Sequence, residues 1–322
     1  MDRRRLTGIA LVLASAAGFG SGSLFAQPVY GAGVDWLVLL AWRFLFGAGL
    51  TWGWLLLSAG RRAGLRGLDR RTTIATIALG VLYIGNSGAY FAGLQTVSPS
   101  LAALIVYIYP ALVAVLSLRF GRRLEGRRAW LALAIALLGV ALSVGGIDQA
   151  VAPPLGGLML VVVSPVIYSI FIVLSARLAG ERHDTVGDRA ADGASATAAS
   201  ALMMTTTAAI YWIAAVSSGR PVLPGAIPSD AWFGLVGVGV FSTFIAILGF
   251  YAGAQRIGAA QAALISTVEP VWTITLAAIL FGIGLTLVQL VGGALILGGV
   301  LIAQTGPTGL AGGGIGVRLA DE

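Results

Sequence analysis

Ten apolar runs, each close to the ~20 residues that carry a helix across a bilayer, follow one another along the 322-residue chain. They occupy residues 6–27, 35–58, 73–94, 99–118, 129–147, 155–176, 197–217, 231–254, 259–281 and 286–304. Only 10% of the residues are charged, against about 25% in soluble domains. Such a chain cannot cover a water-facing surface, and its mean hydropathy of +0.93 says the same. The expected fold class is therefore an all-α membrane protein of about ten transmembrane helices. Several runs meet through very few polar residues, as at Gln95–Ser98 and Gly282–Leu285, which predicts tight helical hairpins.

The net charge of +7 does not indicate nucleic acid, because the basic residues cluster between apolar runs as a topology signal does. One set of connections holds Arg3 to Arg5, then Arg61, Arg62, Arg66, Arg70 and Arg71, then Arg119, Arg122, Arg123, Arg127 and Arg128. Arg177, Arg182, Arg189, Arg256 and Arg318 fall on the same side; Arg220 stands alone opposite. With an even number of spans, both termini are expected in the cytoplasm. The basic residues are all arginine, and Ala, Gly, Leu and Val abound, a composition of GC-rich prokaryotic coding. The expected location is the cell membrane, a bacterial inner membrane, and the Gly-rich tail 305–322 is expected to be disordered and cytoplasmic.

A duplication organises the chain. Tyr90–Pro110 matches Phe250–Pro270 at an offset of 160, with identities at Ala92/Ala252, Gly93/Gly253, Gln95/Gln255, Ala102/Ala262, Ala103/Ala263, Leu104/Leu264, Ile105/Ile265 and Pro110/Pro270. Nearer the start, Gly8/Gly157, Leu11/Leu160, Val12/Val161 and Ser15/Ser164 match at an offset of 149. The polar loop 181–196 is the expected place for extra residues in the second half. Residues 1–150 and 151–304 then form two five-helix units. An odd helix count makes the second unit enter from the opposite side, so the repeats are inverted about an axis in the membrane plane, with a binding site expected at midplane between them.

Two ionisable residues lie well inside spans, Arg43 and Glu269. Each costs about 2.5–3.5 kcal/mol at a helix centre on insertion scales, so each is expected to face a cavity or a partner. Arg43 suits an anionic group such as a substrate carboxylate, and Glu269 a proton or an amine; a buried structural ion pair is the alternative. Tyr83, Asn86, Tyr90, Tyr107, Tyr168, Tyr251 and Trp272 are in-span polar aromatics or amides that could line an amphipathic cavity or anchor at the interface. Pro110 and Pro270 interrupt spans four and nine near mid-depth, each freeing a backbone carbonyl, and are candidate hinges.

These residues resemble a known family. Tyr109-Pro110 with Phe120-Gly121-Arg122-Arg123-Leu124, Glu269-Pro270 with Phe281-Gly282, the Gly-rich 291–300 run, Trp42-Arg43-Phe44 and Gly20-Ser21-Gly22 are similar to the EamA branch of the drug/metabolite transporter superfamily. The resemblance covers roughly residues 6–304. It implies ten spans, inverted five-helix repeats, a central cavity, and transport of small metabolites such as amino acids or drugs, frequently outward. The partners it implies are a small-molecule substrate and the lipid bilayer, with proton coupling open and no cofactor. A channel or a non-transporting scaffold is the rival. The residues do not support an intramembrane enzyme. His183, the lone histidine, lies in a polar loop; Glu269 has no second deep carboxyl beside it; and with no Cys and no Lys, thiolate and Schiff-base chemistry are excluded.

Overall fold

The computed structural model describes residues 3–66, 68–93, 96–97, 99–124, 126–143, 153–178, 193–281 and 286–304. Gln95, His183 and the tail 305–322 lie outside the described residues. The described chain is helical, with no strand among these residues. In chain order the helices are α1 (Arg3–Gly31), α2 (Trp36–Leu56), α3 (Ala59–Arg66), α4 (Arg70–Gly93), α5 (Pro99–Val106), α6 (Tyr109–Phe120) and α7 (Gly126–Ser143). There follow α8 (Leu155–Leu178), α9 (Gly193–Ser217), α10 (Ala231–Gly239), a π-helical turn (Val240–Ile245), α11 (Ala246–Ile257), α12 (Ala259–Ser266), α13 (Glu269–Phe281) and α14 (Leu287–Gln304). Eight stretches are long and apolar enough to cross a membrane, and the shorter apolar helices Tyr109–Phe120 and Leu287–Ala303 bring the spans to ten.

The packing is symmetric between the halves. α1 packs on α11 and α13, while α8 packs on α4 and α6. α4 meets α9 as α10 meets α2, and the pairs α2/α9 and α7/α14 are their own counterparts. The same glycine contact is made twice. A Cβ on Gly93 would lie 2.5 Å from Val161 Cγ2 and 3.1 Å from Gly157 O; one on Gly253 would lie 2.4 Å from Val12 Cγ2 and 2.9 Å from Gly8 O. All three pairs involved are matched positions of the repeat. The α7/α14 seam repeats likewise: Gly139 abuts Gly292 and Ile296, and Gly299 abuts Ala132 and Ala136. Only a hydrogen fits at these crossings, which lets the backbones approach as membrane helices do. The fold is an all-α bundle of two inverted five-helix repeats.

Two details depart from the expected layout. α3 is an amphipathic helix between spans two and three, where a loop was expected, and it packs on α9. α9 begins at Gly193, inside the expected 181–196 loop.

Spans four and nine are broken just ahead of Pro110 and Pro270. α5 ends at Val106 and α6 starts at Tyr109; α12 ends at Ser266 and α13 starts at Glu269. Three-residue hydrogen bonds turn the chain at each gap: Ile108 N to Ile105 O (3.2 Å) in span four, and Thr267 N to Leu264 O (3.2 Å) and Val268 N to Ile265 O (3.1 Å) in span nine. Each proline is the second residue of the helix after the gap, where its missing N–H would have had no intrahelical partner. The structure therefore avoids the clash that a proline makes inside a continuous helix.

The π turn in span eight inserts one residue. Gly80, on α4, packs on Thr206 and Met203 O, while Gly239 packs on Phe46. Ser164 donates to Asn86 Oδ1 (2.8 Å), and its counterpart Ser15 donates to Ala246 O (2.6 Å). From 80 to 86 the chain advances six residues; from 239 to 246 it advances seven.

Candidate functional site

A cavity of about 560 Å³ lies between the two halves. Spans one, three and four supply much of its wall, with Arg43 from α2, Tyr168 from α8, Ser242 from the π turn, Glu269, Pro270, Thr273 and Ile274 from α13, and Gln289 from α14. It lies toward the end of the bundle remote from the chain termini. Gln27 and Tyr30 come from the last turns of α1, Tyr90 and Phe91 from the end of α4, Ser143 from the end of α7 and Gln289 from the start of α14. At the terminal end α6 packs against α12, whereas α5 and α13 have no comparable contact among the described residues.

Arg43 is 6% exposed and fixed by the π turn. Its Nε donates to Thr243 Oγ1 (2.9 Å) and its Nη2 to Ser242 O (3.0 Å). Widening of a helix by one residue releases carbonyls from the regular ladder, and a guanidinium is well suited to take one. The Thr243 hydroxyl in turn donates to Val238 O (3.1 Å). The Phe44 and Phe91 rings lie 5.4 and 5.9 Å from the guanidinium carbon. Nη1 makes no hydrogen bond among the described residues.

Glu269 is the first residue of α13, at the break of span nine. A carboxylate there interacts favourably with the unpaired N–H groups and dipole of the helix start. Tyr107, from the break of span four, lines the same cavity as this carboxyl. Arg43 and Glu269 share the cavity without forming an ion pair within 4.0 Å among the described residues. The alternative of a buried structural pair is therefore not what the geometry shows. A guanidinium and a carboxyl instead face one chamber separately, the guanidinium held by the π turn and the carboxyl by the start of α13.

Aromatic rings build the rest. Tyr83, Tyr107 and Tyr109 are buried, and the Tyr109 and Tyr168 rings stand 4.9 Å apart at 60°. Tyr83 meets Phe171 edge-on at 4.8 Å. Asn86 is held by Ser164, and Ser87 shares a 2.7 Å hydrogen bond with the Tyr211 hydroxyl. Such walls offer apolar faces with hydroxyls at the edges, suited to an amphipathic small molecule.

Of the sequence-expected residues, Arg43, Tyr83, Asn86, Tyr90, Tyr107, Tyr168, Glu269 and Pro270 line this cavity. Tyr251, Trp272 and Pro110 do not. Tyr251 lies on α11, beyond the π turn, and its hydroxyl donates to Met203 Sδ (3.2 Å). Trp272 is 42% exposed and donates to Ser21 Oγ (2.9 Å), off the α13 face carried by Glu269, Pro270, Thr273 and Ile274. Pro110 is buried, but Tyr109 takes the lining position beside it. Sequence reasoning missed Tyr109 and Phe19 as lining residues. Both were findable: at offset 160 Tyr109 is the counterpart of Glu269, and at offset 149 Phe19 is the counterpart of Tyr168. Tyr30, Gln27 and Gln289 carry no comparable signal.

Relatives match the chain over most of its length. The chain is 28% identical over 301 residues to an uncharacterized transporter of Archaeoglobus fulgidus, covering 92% of this chain and 96% of the relative. It is 24% identical over 270 residues to the uncharacterized transporter YyaM of Bacillus subtilis, covering 82% of this chain and 83% of the relative. YcbK, another uncharacterized transporter of that organism, is 25% identical over 306 residues, covering 94% and 93%. A solved crystal structure matches the fold with a TM-score of 0.75 at 20% identity, over 93% of this chain and 96% of the other. The profile of the EamA-like transporter family matches twice, at residues 6–145 and 155–305. With that double match falling on the two halves that pack symmetrically around one cavity, the chain belongs to the EamA-like transporter family.

Proposed function

We propose that the protein is a secondary carrier that moves a small metabolite or drug, an amino acid or a related compound among them, out of the cell by alternating access between its two halves. The observation that supports this reading best is a chamber between the repeats in which one guanidinium and one carboxyl stand apart, with no ion pair between them among the described residues. In it Arg43 takes the substrate's anionic group, the tyrosines hold its apolar body, and Glu269 takes an amine or a coupled proton. Residues 1–150 and 151–304 act as the two moving units, and both termini face the cytoplasm of a bacterial inner membrane, on the Arg-rich side. The cavity then faces outward, a state reached after release.

Counterflow in proteoliposomes tests the carrier reading. Internal unlabelled substrate should accelerate entry of labelled substrate, and Glu269→Gln should lower that rate or remove its pH dependence while expression holds. Flux that never saturates and ignores internal substrate would mean a channel. Absence of flux across a metabolite panel, with no ligand shifting the melting temperature, would mean a scaffold. A C-terminal reporter found outside the cell would overturn the orientation.

A further inference from the structure

The arginine cluster between spans two and three does more than the topology signal requires. α3 and the start of α4 present Arg61, Arg62, Arg66, Arg70 and Arg71 at the chain-terminal end of the bundle. The charges are unequal in role. Arg62 is anchored: its Nη1 donates to Leu56 O (2.6 Å), closing the end of α2. Arg61 lies over Trp54, with its guanidinium carbon 3.9 Å from the ring centroid, and its Nε is buried without a hydrogen-bond partner among the described residues. Arg66, Arg70 and Arg71 are exposed. Asp69, the acidic residue among them, is occupied by α4, accepting from Thr72 N at 2.7 Å.

Immediately beside these charges the surface is apolar. Trp54, Leu56 and Leu57 are 45%, 50% and 78% exposed. The patch thus pairs a tryptophan at the end of a span with the guanidinium donors of the helix that follows, the order of acyl chain and phosphate in a leaflet. α3 is not a loose loop; it packs on both α2 and α9, so the donors are held against the bundle. The equivalent connection in the second half, between α9 and α10, offers only Arg220, which is already paired with Asp35 at 3.5 Å.

We infer that α3 and the start of α4 form a binding site for one anionic phospholipid, its phosphate taken by Arg61, Arg66, Arg70 and Arg71 and its acyl chains lying on Trp54, Leu56 and Leu57. Opposite charge, several guanidinium donors and the adjoining apolar strip all favour an anionic lipid over a zwitterionic one. The site is separate from the central cavity and stands whether or not the substrate reading does.

Native mass spectrometry of the full chain, released from detergent with phosphatidylglycerol or phosphatidylcholine added, reads this directly. Retained phosphatidylglycerol should exceed phosphatidylcholine. Each of Arg66→Gln, Arg70→Gln and Arg71→Gln should weaken phosphatidylglycerol retention by about fivefold, the size of one arginine's attraction to an anionic surface. These side chains are exposed, so the variants keep the fold. The double variant Arg119→Gln/Arg127→Gln, in the other cluster, should leave that retention unchanged. Equal retention of the two lipids, or equal losses in both clusters, would overturn the site as unspecific charge. Displacement of the lipid by inorganic phosphate at matched concentration would overturn it in favour of a free-phosphate site.

Discussion

Span four and span nine are one design carried out twice with different chemistry. Both break two residues ahead of a proline, both resume with that proline second in the new helix, and both first residues after the break line the cavity. In span four that residue is Tyr109; in span nine it is Glu269. The backbone device is thus common property of the repeat, while the charge belongs to one half only. The difference teaches that scaffold and ligand chemistry were free to diverge independently. A broken helix needs a proline and two turn residues, and neither constrains the side chain that faces the chamber.

That comparison can be broken experimentally. If the asymmetry carries function, Glu269→Gln should slow transport by about ten- to a hundredfold, the scale of losing a charged hydrogen bond to the substrate. Tyr109→Phe should cost less than about threefold. Comparable losses in a flux assay would make the two positions equivalent and remove the special standing of the carboxyl. If the scaffold is the shared part, Gly93→Val and Gly253→Val should destabilise by similar amounts, about 1–3 kcal/mol each as overpacking costs. A thermal melt showing one substitution tolerated would mean that the two crossings are not the same joint.

The prolines sharpen the comparison further. Pro110→Ala and Pro270→Ala each restore a backbone N–H at the head of a half-helix. They should bias access toward opposite sides by a few-fold, read by labelling cysteines engineered at either end of a chain that has none of its own. A shift to the same side would make both breaks static. The smallest effect concerns how span three and span eight begin. Hydrogen bonds from the Thr72 side chain and then its backbone N–H hold the Asp69 carboxyl below its ordinary range. A depressed folded-state value contributes stability above the ordinary carboxylate range, lost as pH falls through the folded value. Asp69→Asn should therefore lower the melting temperature slightly at neutral pH and not in acid. Asp230, ahead of α10, makes no side-chain cap, so Asp230→Asn should change less; an equal change would mean that capping by Asp69 does not distinguish the two starts.

The spans were legible because membrane helices announce themselves by length and apolarity, and the repeat because matched residues such as Gly93 and Gly253 sit where backbones touch. Arg43 and Glu269 were legible because a charge in hydrocarbon demands a polar destination. Direction around each helix was less readable. With nearly every in-span residue apolar, no polar stripe marks which face is inward, and Trp272 and Tyr251 were taken for lining residues on chemistry alone. α3 escaped notice because eight residues rich in arginine resemble a solvated loop until their packing on α9 is seen. At Pro110 and Pro270 the sequence shows where a hydrogen bond is missing, not how far the chain reorganises to accommodate it.

The widened turn in span eight has a consequence for anyone who edits this protein. One additional residue in a helix rotates everything beyond it by about 100°. Span eight is therefore out of phase with span three across the turn: the face that α10 shows to α1 and α2 is set by that single surplus position. Gly234 and Gly237 nestle against Phe25, and Gly239 against Phe46, only in this phase. Removing one residue from Val240–Ile245 would leave composition and hydropathy almost untouched, yet would swing those three glycines off their partners and carry Ser242 O away from Arg43. The length of a six-residue stretch, more than the identity of its side chains, keeps the cavity's cation aimed.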